Sequence, residues 1–344
     1  MDPAVLRILD VNVNRSREAL RVIEDYARFG LDDLDAAAAA KRCRHMLGEF
    51  VRAVGRDELL AARDIAGDVG RDVKTAGELR RDTVDAVVRA AFGRLSEAAR
   101  GLGEYGKLLS GSAAARAEEL RYAAYELEQR IVLRGGLRAR LRAVRLYVLV
   151  TGGLCRRDWL ETAEAAIRGG AGCVQLREKG LGDAELLERA RRLRALTREH
   201  NALLAVNDRP DIARLAAADI VHVGQGDLAV DEVRRIAGTG MLVGKSTHTV
   251  AQLEAGLAEE PDYIAVGPMY QSATKPQEHV AGLELLAAAV QRTSLPVVAI
   301  GGIVVENAGG LVAAGARCLC VCGGVIGQDD PEGAARAIIA GAWR

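Results

Sequence analysis

The chain has 344 residues, enough for two domains of ordinary size, and its 47 lysines and arginines are balanced by 47 aspartates and glutamates. A formal net charge of zero argues against nucleic acid or an anionic membrane surface as the main partner and leaves small charged molecules as the expected ligands. No stretch approaches the roughly 20 apolar residues of a membrane span, and the opening MDPAVLRILDVNVNRSREAL lacks the apolar core of a secretion signal, so a cytoplasmic protein is expected.

Residues 1–134 read as an all-helical domain, because apolar residues recur three and four apart and β-branched clusters are scarce. Leu20, Ile23 and Ala27 fall on one helical face. The segment EALRVIEDYAR, from Glu18 to Arg28, returns as EAARGLGEYGK from Glu97 to Lys107. The repeat pairs Glu18 with Glu97, Arg21 with Arg100, Tyr26 with Tyr105 and Arg28 with Lys107, as two related helices would. Between them, ARDIAGDVGRDV from Ala62 to Val73 sets two glycines among charges, the composition of a functional loop or of an exposed turn. Residues 135–145 combine a glycine pair with repeated arginine and read as a basic linker or a solvated helix face.

From residue 146 to 344 short apolar runs alternate with amphipathic segments. Eight strands are predicted: Leu146 to Val150, Cys173 to Leu176, Leu203 to Val206, Ile220 to Val223, Met241 to Val243, Tyr263 to Val266, Val297 to Ile300 and Cys318 to Val321. Eight strand-and-helix units in this length imply parallel strands closed into a (β/α)8 TIM barrel. An open doubly wound sheet is the alternative, but no GxGxxG follows the first strand. With three phenylalanines and two tryptophans the core must be aliphatic. Six cysteines make no disulfide framework at this size, and Cys318, Cys320 and Cys322 alternate as core residues on one face of a strand. A barrel beginning at 146 carries every strand, so a chain starting near Leu141 is expected to fold without the helical region.

Active sites of such barrels form at the C-terminal ends of the strands. After the second strand, Gln175, Arg177 and Lys179 are two apart, which sends them to one face of an extended chain. Two cations there would repel without an anion between them, and a diphosphate meets that need; otherwise Glu178 and Glu185 would serve as their partners. Asn207 and Asp208 follow the third strand and Asp227 the fourth. Two carboxylates suit magnesium (Mg2+), which fills its remaining positions with water and phosphate oxygens, although either aspartate could instead cap the helix that follows. Ser246, in which the fifth strand ends, supplies a hydroxyl for phosphate or a ring nitrogen, and His248 reads as structural or substrate-adjacent rather than as a general base. The long loop GPMYQSATKPQEHVAG carries Ser272, Thr274 and Lys275. Glycines after strands seven and eight, in AIGGI with Gly302 and in CGG with Cys322 and Gly323, occupy the usual phosphate loops of the fold.

Taken together, VQLREK, VNDR, HVGQGD, GKSTHT, GPMYQSATK, AIGGI and DDPEGAAR resemble the thiamine-phosphate synthase family from about Leu146 onward. The resemblance implies condensation of 4-amino-5-hydroxymethyl-2-methylpyrimidine diphosphate with a thiazole phosphate by a dissociative mechanism, with small-molecule substrates and room for a homo-oligomer. It implies that Gln175, Arg177, Lys179, Asn207, Ser246 and Lys275 meet the pyrimidine diphosphate. Asp208 and Asp227 would hold magnesium, and Ser272, Thr274 and Gly302 the thiazole phosphate. Two departures are visible: Gln271 and Ser272 stand where the family often has proline and threonine, and Gly323 where a serine is common. The N-terminal region resembles a helical domain attached to such synthases and suggested to be a pyrimidine-phosphate kinase, yet it contains no GxxxxGK[ST] loop. A thiazole-phosphate isomerase or a ligand-sensing regulator on the same barrel are the competing readings, and both metal aspartates and the QxRxK strand disfavour them.

Overall fold

A computed structural model describes residues 2–31, 33–65, 67–69, 81–238, 240–271 and 280–343. Ser272, Thr274 and Lys275 lie outside the described residues, as does part of the glycine-bearing run from Ala62 to Val73. The chain divides into two compact units, Met1–Gly135 and Gly136–Arg344.

The first unit is helical: α1 (Pro3–Asp25), α2 (Leu34–Val54), α3 (Arg56–Ala61), α4 (Val84–Gly106) and α5 (Gly111–Glu128), with π-helical turns at Tyr26–Gly30 and Gln129–Gly135. Short polar side chains start the helices by accepting from amides of the first turn: Asp2 from Ala4, Asp33 from Ala36, Thr83 from Ala86 and Ser110 from Ala113. The first copy of the sequence repeat spans the end of α1 and the π-helical turn after it, the second the end of α4, and α1 and α4 pack against each other. Leu9, Leu20, Ile23 and Ala27 are fully buried among Phe50, Phe92, Leu95 and Leu120, so the unit has its own core.

The second unit is a closed barrel of eight parallel strands: β1 (Leu146–Val150), β2 (Ala171–Leu176), β3 (Leu203–Asn207), β4 (Ile220–Val223), β5 (Leu242–Thr247), β6 (Tyr263–Val266), β7 (Val297–Ile300) and β8 (Cys318–Val321). Each strand pairs with its sequence neighbours and β1 closes on β8. Helices α7 (Trp159–Arg168), α8 (Asp183–Glu199), α9 (Pro210–Leu215), α10 (Val230–Ala237), α11 (Val250–Ala258), α12 (Gly282–Arg292), α13 (Val305–Ala313), α14 (Gly323–Ile326) and α15 (Pro331–Ala342) follow the strands. Alternation along the strands divides the barrel into two layers of packing. Val148, Val174, Leu204, Val221, Val243, Ile264, Ala299 and Leu319 face the helices. Tyr147, Cys173, Leu203, Ile220, Leu242, Val298, Cys318 and Cys320 fill the interior.

Strand limits differ from the predicted ones in two places that matter for function. Strand β5 runs on to Thr247, four residues beyond the predicted apolar run that ends at Val243, and β3 includes Asn207, so Ser246 and Asn207 both lie within strands. The glycine at position 244 had masked the continuation.

The basic run 135–145, read as a linker or helix face, is helical as α6 (Gly136–Arg142). Its Leu141, with Val144 beyond it, enters the interior core, and Leu137 packs against the same cluster. Arg138 donates to Asp262 at 2.7 Å, just ahead of β6, while Arg140 reaches the Asn201 carbonyl ahead of β3 and Arg142 that of Ser294 ahead of β7. Helix α6 therefore closes the N-terminal end of the barrel. A chain cut near Leu141 would lose Leu137 and Arg138, so the expected boundary moves to Gly136.

Candidate active site

At the C-terminal end of the barrel a cavity of about 520 Å3 is lined by Gln175, Arg177, Asn207, Ser246, Gly302, Cys322 and Gly323, which brings together seven of the residues singled out from sequence. His248 also lines it and its Nδ1 sits 2.6 Å from the Gly267 carbonyl, an acceptor that requires the proton on Nδ1. Cys322 lies at the wall, whereas Cys318 and Cys320 are core thiols; burial pushes Cys318 up to about 12, so it keeps its proton.

The floor is a polar chain that crosses an otherwise apolar interior. Gln175 Nε2 donates to Tyr147 Oη at 2.7 Å; Tyr147 and Tyr263 hydroxyls are 3.3 Å apart; Tyr263 Oη lies 2.8 Å from His222 Nδ1; and His222 Nε2 lies 2.8 Å from Ser246 Oγ. Burial drives the Tyr147 and Tyr263 phenols well above their ordinary value and lowers His222 to about 4, so all three are neutral at pH 7. One direction of donation satisfies every member. Because Gln175 gives a proton to Tyr147, Tyr147 gives to Tyr263, Tyr263 to His222 and His222 to Ser246, which leaves the Ser246 hydroxyl proton for a ligand. Gly244 makes room for the arrangement: a Cβ there would lie 2.1 Å from the Tyr263 ring.

The rim is charged. Among the described residues the Arg177 guanidinium makes no hydrogen bond or ion pair, while Glu178 and Glu185, the alternative partners considered for it, are both bound to Arg189. Glu178 also accepts from the Gly152 amide at 2.8 Å. Lys179, Asp208 and Asp227 are not in the cavity lining; Lys179 pairs with Asp208 at 3.5 Å. Burial raises the Asp208 carboxyl, and hydrogen bonding to Asp227 together with its charge raises it further, against the pull of Lys179. Neither aspartate caps a helix: α9 starts from Arg209 and α10 from Ala229. Asp227 instead accepts from the Gly224 amide at 2.7 Å, and Asp208 has a left-handed φ of 59° held by its amide bond to the His222 carbonyl at 2.8 Å. Two hard-oxygen donors in electrostatic conflict fit a divalent ion such as magnesium. No group of three or more His, Cys, Asp or Glu side chains suited to a metal occurs among the described residues, so such an ion would draw its other ligands from water and substrate.

Opposite the rim, the loop after β7 and the short α14 after β8 bring Gly302 and Gly323 to the wall. Gly302 has φ of 65°, and a Cβ there would stand 2.5 Å from the Gln271 carbonyl and 2.7 Å from that of Tyr270. Its smallness serves the packing of the β6 loop as well as access to the cavity.

A family model described as thiamine monophosphate synthase matches residues 146–325, more than half of the chain. The thiamine-phosphate synthase of Thermosynechococcus vestitus is 41% identical over 336 residues, covering 97% of this chain and 93% of that relative. The chain belongs to the thiamine-phosphate synthase family. A second synthase, from Gloeobacter violaceus, is 39% identical over 330 residues, covering 96% of this chain and 94% of that one. Among solved structures, thiamine phosphate pyrophosphorylase from Pyrococcus furiosus superposes with a TM-score of 0.55 at 30% identity, covering 59% of this chain and 97% of that chain. The helical region matches a model described as the ThiD2 family over residues 7–130.

Set against this membership in a synthase family, the sequence reading missed Tyr147, His222 and Tyr263. The signal was present: a tyrosine or histidine in the interior register of a strand needs a partner for its polar atom, and all three occupy positions whose neighbours on the same face are aliphatic.

Proposed function

We propose that the barrel joins 4-amino-5-hydroxymethyl-2-methylpyrimidine diphosphate to a thiazole phosphate, giving thiamine phosphate and diphosphate. The observation that carries this reading is Arg177, which lines the cavity with no hydrogen bond or ion pair among the described residues, taken with the conflicting carboxylates Asp208 and Asp227 at the ends of the neighbouring strands. A diphosphate and a divalent ion together balance both. The wall and floor add the other requirements: a polar end at Gln175 and Ser246 for an aminopyrimidine, and glycine loops at Gly302 and Gly323 for a second phosphate.

In this assignment Gln175 turns its carbonyl, and Ser246 its hydroxyl proton, toward the pyrimidine, offering an acceptor and a donor to an amino group and a ring nitrogen. Asn207, Arg177, Lys179 and Lys275 hold the diphosphate. As the carbon–oxygen bond breaks, its electron pair leaves with the diphosphate, and the three cations stabilise the charge that collects there. The apolar walls formed by Leu149, Ala265, Val298 and Ile300 keep water from the pyrimidine-methyl cation until the thiazole nitrogen supplies a lone pair and forms the carbon–nitrogen bond. Ser272, Thr274, Gly302, Cys322 and Gly323 hold the thiazole phosphate at a distance that permits this attack. Asp208 and Asp227 would hold magnesium, which when bound supplies positive charge to the diphosphate oxygens.

Purified protein with both substrates and magnesium should form thiamine phosphate, and Asp227→Asn should lower turnover at least about 100-fold with the fold intact. Near-normal turnover of that variant in limiting magnesium would remove Asp227 from the metal site, and absence of product from the unaltered protein would remove the activity itself.

A further inference from the structure

Gln175 and Ser246 stand at the two ends of a buried line of hydrogen bonds that leaves β2, crosses Tyr147 of β1 and Tyr263 of β6, and returns to the cavity through His222 of β4. Its middle has few other partners. Tyr147 and Tyr263 are 1% and 0% exposed, and His222 stacks on the Tyr263 ring with centroids 5.5 Å apart. The interior cluster that holds the two tyrosines is otherwise made of residues such as Leu203, Ile220 and Leu242 and of the Cys173, Cys318 and Cys320 thiols, which are weak partners for a phenol. The ends are open: both Gln175 and Ser246 line the cavity, and Gln175 Oε1 makes no bond among the described residues.

A line of this kind has two complete states. In the first, given above, each member donates toward Ser246, so the Gln175 carbonyl and the Ser246 proton face the cavity. In the second, Ser246 donates to His222 Nε2, the imidazole carries its proton on Nδ1 and donates to Tyr263, Tyr263 donates to Tyr147, and Tyr147 donates to a Gln175 amide turned over about its last torsion. The cavity then meets the Gln175 amide protons and a Ser246 lone pair. Both states contain the same number of hydrogen bonds. A mixed state does not: if both ends donate inward, two phenol protons meet across the 3.3 Å between Tyr147 and Tyr263, and if neither does, two lone pairs meet there. Either mixture loses one buried hydrogen bond, about 5- to 100-fold in an equilibrium.

We infer that Tyr147, Tyr263 and His222 make the site read its ring as a pair of groups, accepting a donor beside an acceptor in either order and rejecting two acceptors side by side. The inference rests on the reading that the aminopyrimidine lies against Gln175 and Ser246. That ring offers an amino donor to Gln175 and a ring nitrogen to Ser246, which selects the first state. Its 4-oxo analogue offers a carbonyl and the N–H of the lactam, which selects the second. A 4-methoxy analogue offers an ether oxygen and a ring nitrogen, and only a mixed state meets both. Ends that acted independently, each held as in the first state, would give the reverse order, because the oxo analogue is then mismatched twice and the methoxy analogue once.

Inhibition constants of the 4-oxo and 4-methoxy analogues of the pyrimidine diphosphate, measured against synthase turnover of the full chain, test this. Tyr263→Phe and Tyr147→Phe are the variants that cut the line. The oxo analogue should bind the unaltered protein at least about fivefold more tightly than the methoxy analogue, and that advantage should fall below about twofold in either variant. A penalty from the bulk of the methoxy methyl would instead survive in both. Methoxy binding as tight as oxo in the unaltered protein, or an oxo advantage unchanged in the variants, would overturn the coupling while turnover, and with it the synthase reading, stands. Absence of turnover from the unaltered protein would remove both. Thermal melting identifies a variant that has lost its fold, and the other variant, which cuts the same line at a different strand, then decides.

Discussion

Tyr263 touches no solvent and, in the assignment above, no substrate, yet it stands in the middle of the chain from Gln175 to Ser246. It is a positioning residue. Tyr263→Phe removes one oxygen, leaves His222 Nδ1 without its donor and frees Ser246 from its set direction. Loss of a buried hydrogen bond of this kind costs about 1–3 kcal/mol. The Michaelis constant for the pyrimidine diphosphate should therefore rise, or turnover fall, about 5- to 100-fold, with that for the thiazole phosphate within about twofold; steady-state kinetics on both substrates decides, and equal effects on the two would assign Tyr263 to general packing. His222 gives a second expectation. Its folded value of about 4 lies below the ordinary 6.5 because of burial first and the Arg177 and Lys245 charges next, opposed by Asp227. Between those values the unfolded chain binds a proton that the folded chain does not, so stability is fully present above about pH 6.5 and is lost as pH falls toward 4. The contribution is up to about 3 kcal/mol. Urea midpoints at pH 7 and 4.5 should show this loss, and His222→Gln should flatten it. At this scale the residues that a strand-end pattern exposes, such as Gln175, Arg177 and Asn207, were legible. Those that depend on which interior positions meet across the barrel, Tyr147 with Tyr263 and Tyr263 with His222, were not, because their partners lie far away in sequence.

Among elements, β1, β4, β6, β7 and β8 were readable to the residue because each is a short apolar run between turn residues. Strand β5 was cut short in the reading, since Gly244 and Lys245 break the apolar run. The structure explains both residues: the glycine yields to the Tyr263 ring, and the lysine turns outward to Glu259 at 3.0 Å. The loop after β7 also carries more than the sequence suggested. From sequence, a bulky residue at Gly302 is expected to exclude the thiazole phosphate. The close approach of the Tyr270 and Gln271 carbonyls means that Gly302→Val must first displace the β6 loop, in a backbone conformation a branched residue tolerates poorly. Lower thermal stability, by about 2 kcal/mol or more, together with impaired handling of both substrates is the expected result. A stable variant affected only in thiazole-phosphate affinity would restore the simpler account.

At the scale of the whole molecule, the helical core from Val5 to Ile131 and the two barrel cores share no residue. A chain beginning at Gly136 should fold and turn over supplied substrates. One beginning at Leu141 should be less stable by about 3 kcal/mol, since Asp262, wholly buried, loses one of its two arginines. Denaturation midpoints of the two truncations measure the difference; equal midpoints would make α6 an ornament of the barrel. The change from helical to alternating texture was legible near residue 146, but the arginine-rich run before it concealed a structural helix, because Arg138 and Leu141 belong to contacts with segments more than a hundred residues away as well as near.

With its interior packed by Tyr147, Leu203, Ile220 and Leu242 and α6 seated across its lower end, the barrel is a sack and not a pipe. Whatever enters must come back out at the same end, past Arg177 and the C-terminal ends of the strands. Under the proposed assignment two reactants and two products share one doorway, and the molecule placed deepest, against Gln175 and Ser246, would be the first to arrive. Traffic through that doorway sets an order of events that the chemistry alone does not require.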